Sequence, residues 1–202
     1  MTEFKHKSVL LDECIAALAI RPDSVIADMT TGGAGHSFNI AARLTTGHLY
    51  CVDRDADAIA AAEDRLSPFG NRVTLIRGNF RDIGQILSGT PPPDGILFDL
   101  GVSSYQLDEA QRGFSYMTDA PLDMRMDRSE TYSAWDVVNS VPQPELARIL
   151  REYGEEKFAG PIAAAICRRR DDRPIESTLE LAEIIAKKLA VRIRSGRRRR
   201  RS

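Results

Sequence analysis

Four short runs of β-branched and other apolar residues recur along the first hundred residues, with helical patterns between them. The runs occupy residues 25–28, 49–53, 73–77 and 95–99, and helices are predicted at 36–44, 56–66 and 82–87. Short apolar runs that alternate with helical patterns indicate βαβ units. The first half of the chain is therefore predicted to form a parallel α/β sheet, in which ligands bind beyond the carboxyl ends of the strands.

The second half follows a different pattern. Residues 101–133 are rich in Gly, Ser, Asp and Met and show no clear period. Helical patterns then follow at 134–140, 143–153, 157–170 and 178–188. Ser177 and Glu180 have the spacing of a capping box at the start of the last helix. Because no strand pattern occurs here, we interpret this part as a helical subdomain inserted after the fourth strand.

The composition is that of an ordinary globular protein. The chain has 202 residues, of which 43% are hydrophobic and 28% charged. No apolar run approaches the roughly 20 residues that a membrane-spanning helix needs, and residues 1–7 lack the apolar core of a signal peptide. Cys14, Cys51 and Cys167 are too few and too dispersed for a disulfide framework or a zinc site. We therefore expect a cytoplasmic protein without a metal, with Cys51 in the core.

Positive charge is concentrated at the C-terminus. Residues 188–202 carry eight basic and no acidic side chains, which leaves 20 basic against 29 acidic residues in 1–187. Such a segment can bind nucleic acid through the phosphates. We expect residues 190–202 to form a disordered, Arg-rich tail.

Three glycines stand between the first predicted strand and the helix that follows it. Gly32, Gly33 and Gly35 come shortly after Asp28, which ends the strand. Glycine lets the backbone approach a ligand closely, and the start of a helix offers free N–H groups. Glycines also occur in such turns for packing reasons alone, so this motif needs support from a second one.

Asp53 supplies that support. It ends the second predicted strand, where a carboxylate can accept hydrogen bonds from both hydroxyls of a ribose. The alternative is a charge at a helix N-terminus, but Asp55 already fills that role. Together the turn and Asp53 indicate a ligand that contains adenosine.

The details of the turn favour S-adenosylmethionine over a dinucleotide. Phe38 stands where the third glycine of a dinucleotide fingerprint would be, and no phosphate-binding P-loop sequence occurs. Phe80, after the third strand, is a candidate wall for the adenine, with a plain core position as the alternative. Asp99 ends the fourth strand, where its carboxylate could either accept a hydrogen bond from an exocyclic amine or hold the cofactor.

Several motifs in order resemble one family, the ribosomal RNA small-subunit methyltransferase H family, also called MraW. They lie at residues 6–13, 30–37, 52–55, 99–108, 112–115, 121–127 and 153–156, and the most specific is Pro-Leu-Asp-Met-Arg-Met-Asp at 121–127. The resemblance extends from about residue 5 to 189. It implies a Rossmann-like methyltransferase that moves a methyl group from S-adenosylmethionine to N4 of a decoding-site cytosine in the 16S rRNA of the small ribosomal subunit.

The resemblance also implies site residues. The cofactor would be bound by Ala34, Gly35, His36, Asp53, Phe80, Asp99 and Gln106, with Asp99 as the candidate catalytic residue. By the same resemblance, residues 121–127 would lie near the cofactor and the RNA. The alternative for this stretch is a structured loop that packs Met124 and Met126 into the helical part.

The resemblance and the pattern together divide the chain into three parts. Residues 1–100 would form the first half of the S-adenosylmethionine-binding domain, 101–189 the loop and helical insert, and 190–202 the tail. The later strands of the family do not follow, which suggests a C-terminal truncation, with a genuine RNA-binding tail as the rival interpretation. We then expect residues 95–99 to form an exposed apolar edge. The alternative function is a catalytically impaired fragment that binds only cofactor or RNA.

Overall fold

The computed structural model describes residues 9–199. The chain divides into two compact units, Met1–Tyr105 and Gln106–Ser202. The predicted boundary between residues 100 and 101 thus lies five residues before the observed division.

The first unit is an α/β domain with a four-stranded sheet. Its elements are α1 (Leu11–Ala17), β1 (Val25–Asp28), α2 (Gly35–Ala41), β2 (His48–Asp53), α3 (Ala56–Leu66), β3 (Val73–Arg77), α4 (Ile83–Ile86) and β4 (Gly95–Leu97). The strands are parallel and stand in the order β3-β2-β1-β4. This order reverses direction between β1 and β4, which is the point where Rossmann-like sheets bind their ligands. The predicted fold class is confirmed.

Alternation along the central strands builds two hydrophobic layers. Ile26 and Leu49 face α1, α2 and α3, whereas Ala27 and Val52 face the side covered by α4. All four are fully buried. Because successive strand residues point to opposite faces, a strand covered on both sides must be apolar throughout. This explains the unbroken apolar runs in the sequence.

β4 is two residues shorter than predicted, and the reason lies in the hydrogen bonds at its end. The last ladder bond to β1 joins the N–H of Met29 to the carbonyl of Leu97 at 3.0 Å. Two residues later, the N–H of Asp99 donates to the hydroxyl of Thr30 at 2.7 Å. The chain therefore leaves the sheet before Asp99, while Asp99 stays attached to the segment that follows β1.

The second unit is helical. After α5 (Ser104–Asp108), which spans the division, it contains α6 (Ala134–Ser140), α7 (Gln143–Glu152), α8 (Ala159–Arg170) and α9 (Thr178–Arg199). Its core includes Leu146, Ile162, Ile166 and Ile175. In the described part of this unit, β pairing is limited to an isolated bridge between Pro121 and Ser177.

The start of α9 forms only half of the predicted capping box. The hydroxyl of Ser177 accepts a bond from the N–H of Glu180 at 3.4 Å. The carboxylate of Glu180 instead accepts from the N–H of Glu176 and pairs with Arg169. The side chain of Glu180 therefore ties α9 to α8 rather than closing the box.

The last helix is longer than predicted. α9 continues to Arg199, eleven residues beyond the expected end at Lys188. The disorder expected for residues 190–202 stays a prediction, and residues 200–202 lie outside the described part. α9 continues past Lys188 because the sequence contains no helix-ending proline there, and arginine is itself a good helix former. Among the described residues, no helix is long and apolar enough to span a membrane.

Candidate functional site

The turn between β1 and α2 is held firmly over the sheet. Thr31 bonds to the carbonyl of Val52 through both its N–H (3.1 Å) and its hydroxyl (3.2 Å). Arg65 donates to the carbonyl of Gly33 at 2.7 Å. Gly32 has φ +51°, and a Cβ placed on Gly33 would meet nothing within 4 Å. The turn is therefore fixed by its neighbours while Gly33 leaves open space beside the backbone.

Two predicted cofactor residues lie at the start of α2. Ala34 precedes the helix with φ 58° and is fully buried, and Gly35 is the first helical residue. A non-glycine residue in the left-handed region costs about 1–2 kcal/mol, which the surrounding packing must offset. The turn is therefore a strained segment held by its contacts.

Asp53 lies at the end of β2 with part of its carboxylate already engaged. One oxygen accepts from the N–H of Gly32 at 2.8 Å and the other from the N–H of Asp55 at 2.9 Å. Each carboxylate oxygen has two lone pairs, so the carboxylate keeps acceptor capacity for a ligand hydroxyl. Burial raises the pKa of Asp53 above its ordinary value, partly offset by these N–H donors. The bonds orient the carboxylate, and Asp55 is the N-cap of α3 as predicted.

Asp28, at the end of β1, forms hydrogen bonds that stabilise the turn between β1 and α2. Its side chain is 1% exposed. It accepts from the hydroxyl of Ser37 at 2.5 Å and from the N–H of Thr30 at 3.2 Å. Burial raises the pKa of Asp28, while the two donors lower it. Asp28 therefore acts inside the fold, where it connects β1 with α2.

Asp99 and His36 meet at the switch point between β1 and β4. The side chain of Asp99 is about half exposed, and one of its oxygens lies 3.8 Å from Nδ1 of the buried His36. Nε2 of His36 lies 3.1 Å from the carbonyl oxygen of Val9. The structure thus places the candidate catalytic carboxylate beside a predicted cofactor residue.

Phe80 lies at the carboxyl edge of the sheet, as predicted. It is 39% exposed, which is inconsistent with the alternative of a core position. Its ring packs edge-to-face on that of Phe98, with centroids 5.8 Å apart. The two rings form a partly exposed aromatic surface suited to a flat base.

Sequence reasoning missed several residues of this site. It did not identify Thr30, which accepts a hydrogen bond from the N–H of Asp99, or Ser37, which donates one to Asp28. It also did not identify Phe98, whose ring packs on that of Phe80. Phe38, which stands where a dinucleotide fingerprint has its third glycine, packs against Phe69 and is 37% exposed. The residue of α2 that faces β1 is Ser37, which has a small side chain. A search for a third glycine at residue 38 could not identify it.

The remaining predicted residues belong to the second unit. Gln106 is buried, at 5% exposure, and its role in binding stays a prediction. Residues 121–127 form a structured loop whose carbonyls at Arg125 and Met126 accept bonds from Arg112 at 2.9 and 3.2 Å. Met124 is 51% exposed and Met126 is partly buried, and whether this loop contacts the cofactor and the RNA stays a prediction.

The described side chains offer no metal site, since no three His, Cys, Asp or Glu residues converge among them. Cys51 is fully buried in the core, as expected, and burial raises the pKa of its thiol to about 12. A thiol in this state is a poor nucleophile. The chemistry of the site therefore depends on the carboxylates, His36 and the aromatic pair.

The strand order, the glycine turn and the carboxylate after β2 define a Rossmann-like nucleotide-binding domain. A family model, that of the MraW methylase family, matches residues 3–200. The chain belongs to this family. The match continues past residue 189, where we expected the resemblance to end.

Relatives from several bacteria are similar over almost the whole chain. Ribosomal RNA small subunit methyltransferase H of Lachnospira eligens is 52% identical over 196 residues, which are 96% of this chain and 62% of the relative. The protein of the same name from Finegoldia magna is 47% identical over 97% of this chain and 64% of its own length. The chain thus spans a little over three-fifths of the curated relatives it matches.

Solved structures resemble the chain more distantly. The crystal structure of a putative rRNA-methylase from Clostridium thermocellum has a TM-score of 0.42 and 20% sequence identity, and the match covers 49% of this chain and 54% of that one.

Proposed function

We propose that this chain carries the cofactor site and the reacting carboxylate of an S-adenosylmethionine-dependent methyltransferase that modifies 16S rRNA at N4 of a decoding-site cytosine. The observation that carries the proposal is the placement of Asp53 and Asp99 on either side of the open glycine turn. The names of the relatives, which describe small-subunit rRNA methyltransferases, support the choice of substrate. The small ribosomal subunit would be the partner, which implies a cytoplasmic protein.

The residues present fit S-adenosylmethionine. Asp53 keeps acceptor capacity for the ribose hydroxyls beside its backbone donors. The turn at Gly33 leaves room for the methionine part, and Phe80 with Phe98 offers a surface for the adenine. The cofactor, when bound, supplies an activated methyl group on a sulfonium sulfur. Ala34, Gly35, His36 and Gln106 complete the proposed binding set, and no residue is proposed to hold a metal.

In the reaction, the protein acts mainly by positioning. The N4 amine of cytosine is a weak nucleophile because its lone pair is delocalised into the ring. A hydrogen bond from this amine to the carboxylate of Asp99 localises the lone pair as the new bond forms. The side chain of Asp99 is half exposed and can reach a substrate, while Thr30 fixes its backbone. Correct orientation of the reacting groups can contribute up to about 10 kcal/mol.

The test is methyl transfer to the expected atom. The purified chain is incubated with methyl-labelled S-adenosylmethionine and unmethylated small ribosomal subunits, and the RNA is digested to nucleosides. Label in N4-methylcytosine, lost in the Asp99→Asn variant and retained in Asp64→Asn on the exposed side of α3, supports the proposal. Label in another nucleoside contradicts the proposed specificity.

A second candidate is a chain that binds cofactor without turnover. In the described residues β4 pairs only with β1. Ile96 within β4 is exposed, as are Phe98 and Leu100 after its end. An open apolar edge next to Asp99 would leave the substrate side of the site incomplete. S-adenosylmethionine binding without label transfer, together with transfer by a version extended with the C-terminal segment of its relatives, would select this candidate.

A further inference from the structure

We infer that Arg65 is a positioning residue for the cofactor, because it holds the turn between β1 and α2 in the shape that receives the methionine part of S-adenosylmethionine. Arg65 acts through its contacts with Gly33 and Phe38, and we call these three residues the Arg65 bridge. The bridge itself follows from contacts within the first unit. Its effect on the cofactor rests on the proposed function.

The first contact of the bridge is a hydrogen bond to the turn. Nη1 of Arg65, in the last turn of α3, donates to the carbonyl oxygen of Gly33 at 2.7 Å. The same peptide group is also bonded at its other end, since the N–H of Ala34 donates to the carbonyl oxygen of Thr31 at 2.8 Å. Because the peptide group is planar, it cannot rotate without weakening one of these two bonds.

The orientation of this peptide matters for the residue that follows it. The plane of the Gly33–Ala34 peptide sets the φ angle of Ala34, which is 58°. A left-handed backbone is unfavourable for a residue with a side chain, so Ala34 would tend to relax to a negative φ if the peptide were released. The bond from Arg65 therefore helps to hold a strained residue at the start of α2, where the cofactor is proposed to bind.

The second contact of the bridge is with an aromatic ring on α2. The guanidinium of Arg65 lies 5.7 Å from the centroid of the Phe38 ring, which is within the range of a cation–π interaction. The Phe38 ring packs edge-to-face on that of Phe69, with centroids 5.1 Å apart. The ring thus supports the guanidinium from the helix that begins at the turn. This gives residue 38 a role in place of the third glycine of a dinucleotide fingerprint.

The alternative is that Arg65 stabilises the fold without affecting the cofactor. A basic residue in the last turn of a helix is favourable whatever it contacts. Arg43 provides the comparison, because it is also exposed and donates to a backbone carbonyl, that of Asn39, at 2.7 Å. Asn39 lies within α2 rather than in the turn. Replacing Arg43 therefore measures the loss of an exposed arginine–carbonyl bond by itself.

The inference is tested by calorimetry on the full chain with two ligands, S-adenosylmethionine and 5′-methylthioadenosine, which keeps the adenosine but lacks the amino-acid chain. We expect Arg65→Gln to weaken binding of S-adenosylmethionine by about three- to tenfold and to leave that of 5′-methylthioadenosine unchanged. Phe38→Leu should have the same preference with a smaller loss of about twofold. Arg43→Gln, the matched control, should bind both ligands as the wild type does.

Equal weakening of both ligands in Arg65→Gln would indicate a general loosening of the fold and would overturn the positioning role, as would unchanged affinity for both. A wild type that binds neither ligand would count against the proposed function. Hydrogen exchange of the Ala34 N–H then decides the bridge. Exchange about three- to tenfold faster in Arg65→Gln than in the wild type and Arg43→Gln supports it, and equal rates in all three overturn it.

Discussion

Asp28 and Asp53 end β1 and β2, and Asp99 follows β4, yet their surroundings give the three carboxylates different properties. Asp28 is enclosed and bonded to Ser37, Asp53 is partly buried between two backbone donors, and Asp99 is half exposed beside His36. Burial penalises a charge, and backbone donors stabilise it. These differences support our proposal that Asp28 serves the fold, Asp53 the cofactor and Asp99 the reaction.

The enclosure of Asp28 predicts a pH-dependent effect on stability. Because burial raises its pKa in the folded chain, ionised Asp28 destabilises the fold, and this cost is absent at low pH, where the group is protonated. Asp28→Asn removes the charge. We expect the free energy of unfolding of the variant to increase relative to that of the wild type as the pH rises from about 4 to 8. Hydrogen exchange of the β1 amides measures it.

The control for this prediction is Asp64→Asn, which makes the same change at an exposed position. Its stability should follow that of the wild type across the pH range. A constant difference between Asp28→Asn and the wild type would show that the pKa of Asp28 is not raised in the folded chain.

Phe80 should contribute to cofactor affinity through its exposed ring. Stacking of a base on an aromatic side chain is worth about 1–3 kcal/mol. We expect Phe80→Leu, which keeps an apolar side chain, to weaken S-adenosylmethionine binding by about tenfold as measured by calorimetry. Tyr132→Leu, another exposed aromatic residue, serves as the control. Unchanged affinity in Phe80→Leu would show that the adenine lies elsewhere.

At the scale of the elements, the hydrophobic periodicity predicted the bounds of those helices and strands whose extent is set by the burial of their apolar residues. β1, β3, α3 and α6 have the predicted bounds, because each is delimited by a clear change in pattern or by a capping residue. α1 was missed, since its seven residues carry only a short amphipathic pattern. The end of β4 depends on the bond from Asp99 to Thr30, a contact across 69 residues that no local pattern contains.

The candidate site was also predictable only in part. Strand ends and the glycine turn pointed to Gly33, Asp53 and Asp99, because parallel strands bring their carboxyl ends to one edge. The resemblance added Ala34, His36 and Gln106. The contacts that orient these residues, such as the bond between Ser37 and Asp28, arise only after the helix has packed on the sheet, so the sequence could not show them.

The loop at residues 121–127 depends on one buried arginine. Arg112 is 1% exposed and donates to two carbonyls of this loop, while its own carbonyl accepts from the N–H of Met124 at 2.9 Å. Gly113, the next residue, has φ +70°, and a Cβ there would lie 2.5 Å from the carbonyl oxygen of Pro121. The motif around Arg112 and the loop therefore form one structural piece within the second unit.

Replacing Arg112 should destabilise the second unit. Arg112→Met keeps the length of the side chain but leaves two loop carbonyls without their donor. We expect a loss of about 2–4 kcal/mol in the free energy of unfolding. Trp135, the single tryptophan of the chain, reports the unfolding of this unit by its fluorescence. Arg151→Met, at an exposed position of α7, should change the stability little, and an equal loss in both variants would contradict the assignment.

On the scale of the whole molecule, the open edge of the sheet is the feature with the largest consequence. β4 has a neighbour on one side only among the described residues, and Ile96 is 41% exposed on it. Apolar edge strands promote association between chains. We therefore expect the chain to associate through this edge. A stable monomer would contradict this.

A charge on the edge should reduce association. We expect Ile96→Lys to raise the monomer fraction at micromolar concentration, measured by light scattering after size exclusion, because a lysine disfavours strand pairing. Tyr132→Lys adds the same charge to an exposed apolar position of the second unit and is the matched control. An equal gain in both variants would indicate a general effect of charge and would exclude the edge as the cause.

The most direct test of the account is the affinity of the chain for S-adenosylmethionine in the wild type and in Asp53→Asn, with Asp64→Asn as the control. Calorimetry should show binding by the wild type and the control, and about 10- to 100-fold weaker binding by Asp53→Asn, since a hydrogen bond to a charged group is lost. Because burial raises the pKa of Asp53, the wild-type affinity should also begin to fall with acid at a higher pH than an ordinary aspartate would cause. Equal affinity in Asp53→Asn, with no dependence on pH, would contradict a cofactor site at the carboxyl ends of β1, β2 and β4.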